Sequence, residues 1–411
     1  MEGNGRFLFK LKINEGKLAG YAVKGNTKTK DYVITREMRQ KPGEPFDVKL
    51  ARRSMQRVYN LGFFQDVNMK LNPQEDGSVI LETDVVEKRT GNFGIGAGYS
   101  SSDGFIGMIN VGDSNFLGMG DAINVLYEMS GKDTDARGFS FSYTRPWLDK
   151  KETSGTIRVY NRTSQYDDYN TDGNLVEKYM RKYSGGELTL GRPASEYSTN
   201  YITLRNRKDE YERHKGSGLI ADRSTPAYEA WRKANFGTTR SLTLEHVTDT
   251  RDNVYEPTTG ARASLSAEFA GLGGDFNYQK YIAGDAHYLK AGRSQVFVLR
   301  GQYGISKGSI SEYSQFRVGG QDTIRGYRED QFRGTRMALV SAEYRFPIVS
   351  KVTGALFTDY GGAWNSGFMP ENLHASVGVG LGLNTPIGPL RLDYGRGSQG
   401  GRVHFRVGGT F

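Results

Sequence analysis

The sequence predicts a small α+β module followed by an all-β antiparallel transmembrane β-barrel of about 16 strands, and three observations carry that expectation. The first is composition: 411 residues hold Gly 54, Tyr 25 and Phe 21 against only 11 prolines. High glycine with high aromatics and few prolines suits many strands with tight turns and aromatic girdles, and not a disordered or collagen-like chain. The second is a change of period, because helical spacing is present up to about residue 88 and disappears from about Gly91. The third is the absence of any run of roughly 18 apolar residues, which excludes a membrane-crossing helix. A barrel survives that test, since its strands show lipid only every second side chain.

The N-terminal region alternates two kinds of pattern. Arg6–Ile13 alternates apolar and basic residues like a strand that Asn14-Glu15-Gly16 ends. Tyr21-Ala22-Val23 then leads through the turn Gly25-Asn26-Thr27 to a helix over 30–38, where Val33, Ile34, Glu37 and Met38 fall at helical spacing. A Pro-Gly break at 42–43 precedes a second helix from Asp47 to about Leu61, with Asp47 as N-cap and Gly62 closing the C-terminus. Strands at 63–71 and 78–86, joined by Asp76-Gly77, complete a β-α-α-β-β order.

From Gly91 onward, strand alternation dominates. Ala375, Val377, Val379, Leu381 and Leu383 share one face, and Ser376, Gly378, Gly380, Gly382 and Asn384 the other. Val340, Ala342, Tyr344, Phe346 and Ile348 oppose Ser341, Glu343 and Arg345, while Val403, Phe405, Val407 and Phe411 oppose Arg402, His404, Arg406 and Thr410. Similar stretches surround 139–144, 156–160, 242–247 and 264–269. One apolar and one polar face fit strands with lipid outside and a wet lumen inside. With roughly 20 residues per strand and connection, and strands of about 9–11 residues, an even count near 16 follows. A large soluble sandwich or propeller is the competing fold, and it rarely needs so many repeated glycine faces.

Chemistry-bearing motifs are scarce. Cysteine is absent, so no disulfide, thiolate metal site or cysteine nucleophile exists. The +9 balance, from 55 basic and 46 acidic residues, is spread along the chain and makes no basic aromatic-interleaved helix, so nucleic acid is not expected as a partner. The five histidines show no metal-ligand spacing. Gly94, Gly96 and Gly98 precede no helix and form no nucleotide loop. Asp168-x-Asn170-x-Asp172-Gly173 resembles a calcium loop, yet Tyr179 stands where a bidentate Glu is required, and a polar external loop is the expectation. No enzyme activity, cofactor or metal is therefore expected.

Arg325 is the residue that stands out. It lies in the glycine-punctuated stretch Phe316–Tyr327, between strand-like segments. Glu343 is polar on a strand whose other face is apolar and should point inward; Asp359 lies in Phe357-Thr358-Asp359-Tyr360-Gly361. An arginine folded back from the loop can meet either carboxylate in a bidentate pair.

At these residues the chain resembles the BamA family of outer-membrane assembly proteins, within the superfamily of barrels with POTRA domains. Ile324-Arg325-Gly326-Tyr327 is similar to that family's V-R-G-F/Y loop signature, with Ile for Val at 324, and Phe357-x-Asp359-x-Gly361 to its F-x-D-x-G strand motif. Thr250–Asn253 with Pro257-Thr258-x-Gly260, and Asn384–Tyr394, match further family stretches; Phe411 resembles the terminal β-signal. Gly25-Asn26-Thr27 and Leu61-Gly62-Phe63-Phe64 resemble a POTRA module.

The resemblance implies a remnant strand of a preceding POTRA module at 1–16, a POTRA domain at 17–90 and a barrel at 91–411. It implies that Arg325 pairs with both Asp359 and Glu343. Met1–Gly5 is polar and opens no signal peptide, so the N-terminus of a barrel is expected to be mature, truncated or engineered. The remnant strand at 6–16 makes a fragment of a longer protein, with more modules and a signal peptide, the expectation.

Function is implied in the same way: nucleotide-free folding and insertion of β-barrel clients in the outer membrane of a diderm bacterium, with the POTRA domain in the periplasm. The partners implied are unfolded outer-membrane barrels, outer-membrane lipids, and periplasmic lipoproteins or chaperones. The expected seam joins Phe93, Gly94, Ile95, Gly96 and Gly98 of the first strand to Val403, Phe405, Val407 and Phe411 of the last. Glycine weakens a strand interior, so that seam is poised to open and accept a client strand. Two alternatives stay open: the small residues make room for an inward-folded loop, or the chain is a two-partner-type secretion pore.

Overall fold

The computed structural model describes residues 16–100, 104–130, 136–214, 224–253, 257–365, 367, 370–385 and 388–407. Two compact units emerge, one of residues up to 92 together with 112–123, the other of 93–111 and 124 onward. The strand expected at 6–16 lies outside the described residues except for Gly16.

In the first unit the order is β1 (Leu18–Lys24), α1 (Asp31–Thr35), α2 (Val48–Asn60), β2 (Phe64–Pro73) and β3 (Val79–Glu87), as the β-α-α-β-β pattern predicts. The central β3 runs parallel to β1 and antiparallel to β2. Val33, Ile34, Val58, Phe63, Phe64, Val67 and Val85 form the core, burying one face of the sheet under both helices. Asp47 caps α2, accepting from the Lys49 N–H at 2.6 Å, and Gly62 ends it at φ +75°. The first helix stops earlier than its spacing suggests. Glu37 and Met38 bond to carbonyls three residues back, and Glu37 turns to meet Arg57 at 2.7 Å.

The turn that carries Gly25-Asn26-Thr27 is held by one carboxylate. Glu87 accepts from the backbone N–H groups of Thr27, Lys28 and Thr29 at 3.0, 2.9 and 2.6 Å, and from the Thr27 hydroxyl at 2.7 Å. Burial alone would raise this carboxyl; the bonds from Lys28, Thr29 and Thr27 outweigh it and hold the group at about 2. Gly25 sits at φ +83° with the space for a Cβ only 2.0 Å from the Val85 carbonyl oxygen, so the turn requires glycine. Within the same unit, Asn115 donates to the Thr29 hydroxyl at 2.8 Å.

The second sheet has sixteen strands in sequence order, the even count near sixteen that the pattern predicts. They are β4 (Gly91–Ser100), β5 (Gly104–Phe116), β6 (Asp121–Ser130), β7 (Arg137–Arg145), β8 (Ser154–Tyr169), β9 (Leu175–Pro193) and β10 (Ser198–His214). After helix α3 (Pro226–Asn235) come β11 (Gly237–Asp249), β12 (Gly260–Ala270), β13 (Asn277–Lys290) and β14 (Val296–Ser309). A loop carrying the short pair β15 (Phe316–Val318) and β16 (Phe332–Gly334) precedes β17 (Arg336–Val349), β18 (Val352–Trp364), β19 (His374–Thr385), β20 (Gly388–Gly397) and β21 (Gly400–Val407). The sheet ends at β4 and β21. Its outer face exposes Val340, Leu356, Val377, Val379, Leu381 and Val403. No helix among the described residues is long and apolar enough to cross a membrane.

Several strands exceed the expected length, most of all β8, β9 and β10 at 16, 19 and 17 residues. Their surplus is polar (Gln165, Asp167 and Asp168 on one, Asp209 and Glu210 on another), so the hydrogen-bonded ladder continues beyond the apolar band.

Candidate functional site

Strand register assembles the site. On the inner face one row crosses the sheet through Glu343, Phe357, Gly378 and Gly395. A second runs through Ser341, Asp359 and Ser376, and a third through Arg345, Ala355, Gly380, Asp393 and His404. Period-2 alternation sends these side chains to one side while Val340, Leu356 and Val403 go to the other.

Into this surface folds the loop between β14 and β17. Ile324 and Tyr327 are fully covered, packing with Phe316, Val318, Phe332 and Met337. Between them Arg325 is only 3% exposed and Asp359 1%. The Arg325 Nε and Nη2 donate to the two Asp359 oxygens, each at 2.8 Å, and its backbone N–H reaches Asp359 at 3.1 Å. Its Nη1 donates to Glu343 at 2.6 Å, and its guanidinium lies 3.3 Å from the centre of the Phe357 ring.

The resemblance placed both carboxylates on Arg325, and the geometry brings all three together. Gly326, at φ +96°, lets the loop reverse against Gly395. Gly361 lies where a Cβ would come within 2.3 Å of the Ala338 carbonyl oxygen.

The network is larger than sequence reasoning found. Glu343 also accepts from Arg345 at 2.6 Å and from Arg391 at 2.8 Å, Arg391 bridges on to Asp393 at 2.9 Å, and the Ser341 hydroxyl donates to Asp359 at 2.7 Å. Three arginines thus face three carboxylates, a neutral set in which each buried charge is paired. Arg391 and Asp393 alternate with Leu390, Leu392 and Tyr394, so alternation marks them as inward charges. Only the register of β17 to β21 reveals that they join Glu343.

Two glycines make the loop's approach possible. A Cβ on Gly395 would lie 2.6 Å from the Arg325 carbonyl carbon, and one on Gly397 2.4 Å from the Tyr327 ring. By contrast, among the described residues Gly94 in β4 has only Asn110 Cβ near, at 3.9 Å, and Gly96 meets the Met108 side chain. The loop therefore takes its room from β20 and not from these first-strand glycines.

The calcium-loop-like stretch behaves differently from a free external loop. Asp168 pairs with Arg333, the Gly173 carbonyl accepts from Arg328 at 2.6 Å, and the Thr171 carbonyl accepts from Gln331 at 2.9 Å. Asp168 and the carbonyls of Thr171 and Gly173 thus meet the inward loop while the Asn170 side chain closes the turn itself, which a linear motif cannot show. Among the described residues no group of three or more His, Asp or Glu is arranged to hold a metal.

Of the seam residues, Phe93 and Ile95 in β4 are 69% and 76% exposed, and Val403 in β21 is 57% exposed. Phe405 is half-buried, Gly98 and Val407 lie within the same two strands, and Phe411 is outside the described residues.

Comparison with known proteins places these features. Residues 115–411 match the Omp85 superfamily domain, and residues 17–88 match the POTRA family, described as a surface antigen variable number repeat. The chain is 28% identical to the chloroplastic outer envelope protein 80 of Arabidopsis thaliana, covering 95% of this chain and 55% of that protein. It is also 28% identical to the outer membrane protein assembly factor BamA of Nitratidesulfovibrio vulgaris, covering 95% and 50%. The chain spans about half the length of these curated relatives.

Among solved structures, BamA from Haemophilus ducreyi lacking POTRA domains 1–3 aligns with a TM-score of 0.77 at 21% identity, over 97% of this chain and 85% of that one. CdiB from Acinetobacter baumannii aligns at 0.66 and 15% identity, over 95% and 73%. These two show the fold. With the domain match spanning most of the sheet and a POTRA module ahead of it, the chain belongs to the Omp85 superfamily.

Proposed function

We propose that this chain is the membrane-embedded part of an outer-membrane protein assembly factor, which folds and inserts β-barrel clients through a lateral seam between β4 and β21, without nucleotide. The POTRA module then lies in the periplasm of a diderm bacterium. There it receives unfolded clients and docks periplasmic lipoproteins or chaperones. The observation that carries the reading is the pairing of a fixed inward loop with a glycine-rich strand at the sheet's end. β4 alternates Phe93, Ile95 and Ala97 with Gly94, Gly96 and Gly98, and neither Gly94 nor Gly96 is needed to admit the loop. A strand rich in glycine holds its neighbour weakly, and an opened edge offers backbone donors and acceptors to an incoming strand.

Cross-linking tests the seam. In cells depleted of the native protein, Ile95→Cys is combined in turn with Val403→Cys, Phe405→Cys and Val407→Cys, which covers the possible registers. Locking should abolish assembly of outer-membrane barrels, and reductant should restore it. A verified locked barrel that still supports assembly would remove the gate from the mechanism.

Export of one protein through the lumen is the second reading, and the alignment with CdiB lends it support. The loop arginine suits either reading; the family-like stretch Asn384–Tyr394 and the strand-like sequence at 6–16, a trace of an earlier POTRA module, favour assembly. General loss of outer-membrane barrels on depletion supports assembly; loss of a single secreted protein supports export.

A further inference from the structure

We propose that His404 is a positioning residue that fixes the last strand to the inward loop, so that β21 forms the anchored edge of the seam; this rests on the assembly reading above. The Gly326 backbone N–H donates to His404 Nε2 at 3.1 Å, and both residues are buried. Gly326 is a donor, so Nε2 must be the unprotonated ring nitrogen and the proton sits on Nδ1. A neutral ring also suits the surroundings, where Arg325, Arg345 and Arg391 already balance Glu343, Asp359 and Asp393.

His404 does not act alone on the final hairpin. The Tyr327 hydroxyl accepts from the Ser398 backbone N–H at 3.1 Å, and Gln331 donates to Gln399 at 2.7 Å. Those bonds reach the turn between β20 and β21, and Gly395 receives the loop on β20. His404 accepts the loop's hydrogen bond on β21 itself. Because Gly326 directly follows Arg325, the carboxylate pairs that place the arginine also place the N–H that His404 accepts. The signature loop thereby sets the position of the strand where a client would be exchanged.

The element transmitted is a hydrogen-bond acceptor at a fixed reach, and substitutions separate it from bulk. His404→Leu keeps volume and removes the acceptor, leaving the buried Gly326 N–H unpaired; an unsatisfied buried donor shifts an equilibrium by roughly five- to hundredfold. His404→Gln places Oε1 near the position of Nε2. His404→Asn is polar but one methylene short, and replaces the leucine variant should that one fail to fold.

The experiment uses the native full chain in lipid vesicles, with folding checked by heat-modifiable mobility. Nitroxide labels at Asp322→Cys in the loop and Val403→Cys in β21 report their distance distribution. The initial rate of client barrel insertion is measured in parallel.

Wild type should give one narrow distance. H404L should add a broad second population and slow insertion about tenfold, in line with one unsatisfied donor. H404Q should restore the narrow distance and most of the rate. An unchanged distance in folded H404L overturns the proposal, as does an altered distance at an unchanged rate, or H404Q behaving like H404L. If the wild-type chain inserts no clients at all, the assembly reading falls by itself, while the distances still decide whether His404 holds the strand.

Discussion

At the scale of single residues, Arg325 spends its guanidinium on two carboxylates and one aromatic face. Removing one partner from a fully buried charge pair costs about 3–5 kcal/mol, and a wet interior lowers that figure. Glu343 keeps Arg345 and Arg391 when the Arg325 side chain is lost, whereas Asp359 loses both guanidinium bonds and keeps only the Ser341 hydroxyl as a side-chain partner among the bonds described above. Arg325→Ala should therefore yield a folded barrel with an undocked loop and impaired function. Normal assembly of outer-membrane barrels in cells relying on that variant would sink the role given to this loop.

Glycine makes a second prediction at the same scale. Gly395→Ala pushes a methyl against the Arg325 carbonyl carbon at 2.6 Å, and overpacking of this kind costs about 1–3 kcal/mol. Gly382→Ala in the neighbouring strand meets nothing closer than 3.7 Å and serves as the control. The temperature at which the folded band is lost on semi-native gels should fall for the first and stay for the second.

Among the elements, the turn before α1 owes its shape to one acidic side chain. Glu87 is held at about 2 in the folded protein against an ordinary value of 4.5, so its contribution to the turn is complete above about pH 4.5 and is lost as pH falls towards 2. Amide exchange at Lys28 and Thr29, corrected for intrinsic rates, should accelerate through that window. Glu87→Gln should remove the pH dependence and leave both amides less protected throughout. Equal, pH-independent protection in the two proteins would show that Gly25 and the sheet, and not the carboxylate, fix the turn. On α2, Asp47→Ala should cost about 1 kcal/mol by uncovering the first amides of the helix, measurable as earlier unfolding in denaturant.

For the whole molecule, the sheet runs in sequence order and its interruption is the loop between β14 and β17. That arrangement ties the last five strands to one polar network while β4 stands at the opposite end of the ladder. The expected consequence is asymmetry at the seam: amide exchange in β21 should be slower than in β4, and Arg325→Ala should narrow the difference. Equal exchange in both strands would contradict an anchored edge.

The hydrophobic pattern by itself determined the kinds of element and their order. Alternation in 340–348, 375–384 and 402–407 reports strands because a pleated chain must turn successive side chains to opposite faces. Asp47, Gly62 and Asp76-Gly77 report helix and turn ends because capping and positive φ are local demands. Arg325 among glycines and Glu343 on a polar strand face were legible locally, but it was the family resemblance of their motifs that set them and Asp359 apart from ordinary surface charge.

Tertiary structure alone decided which charges meet. Arg391, Asp393, Ser341 and His404 joined the network through strand register, in which a one-residue slip would send each to the lipid face. The loop's seat on Gly395 and Gly397, and the capture of the 168–173 stretch by Arg333, Arg328 and Gln331, depend on chains far apart in sequence approaching to van der Waals distance. Period and capping are properties of neighbours along the chain, whereas close approach is a property of the packed sheet.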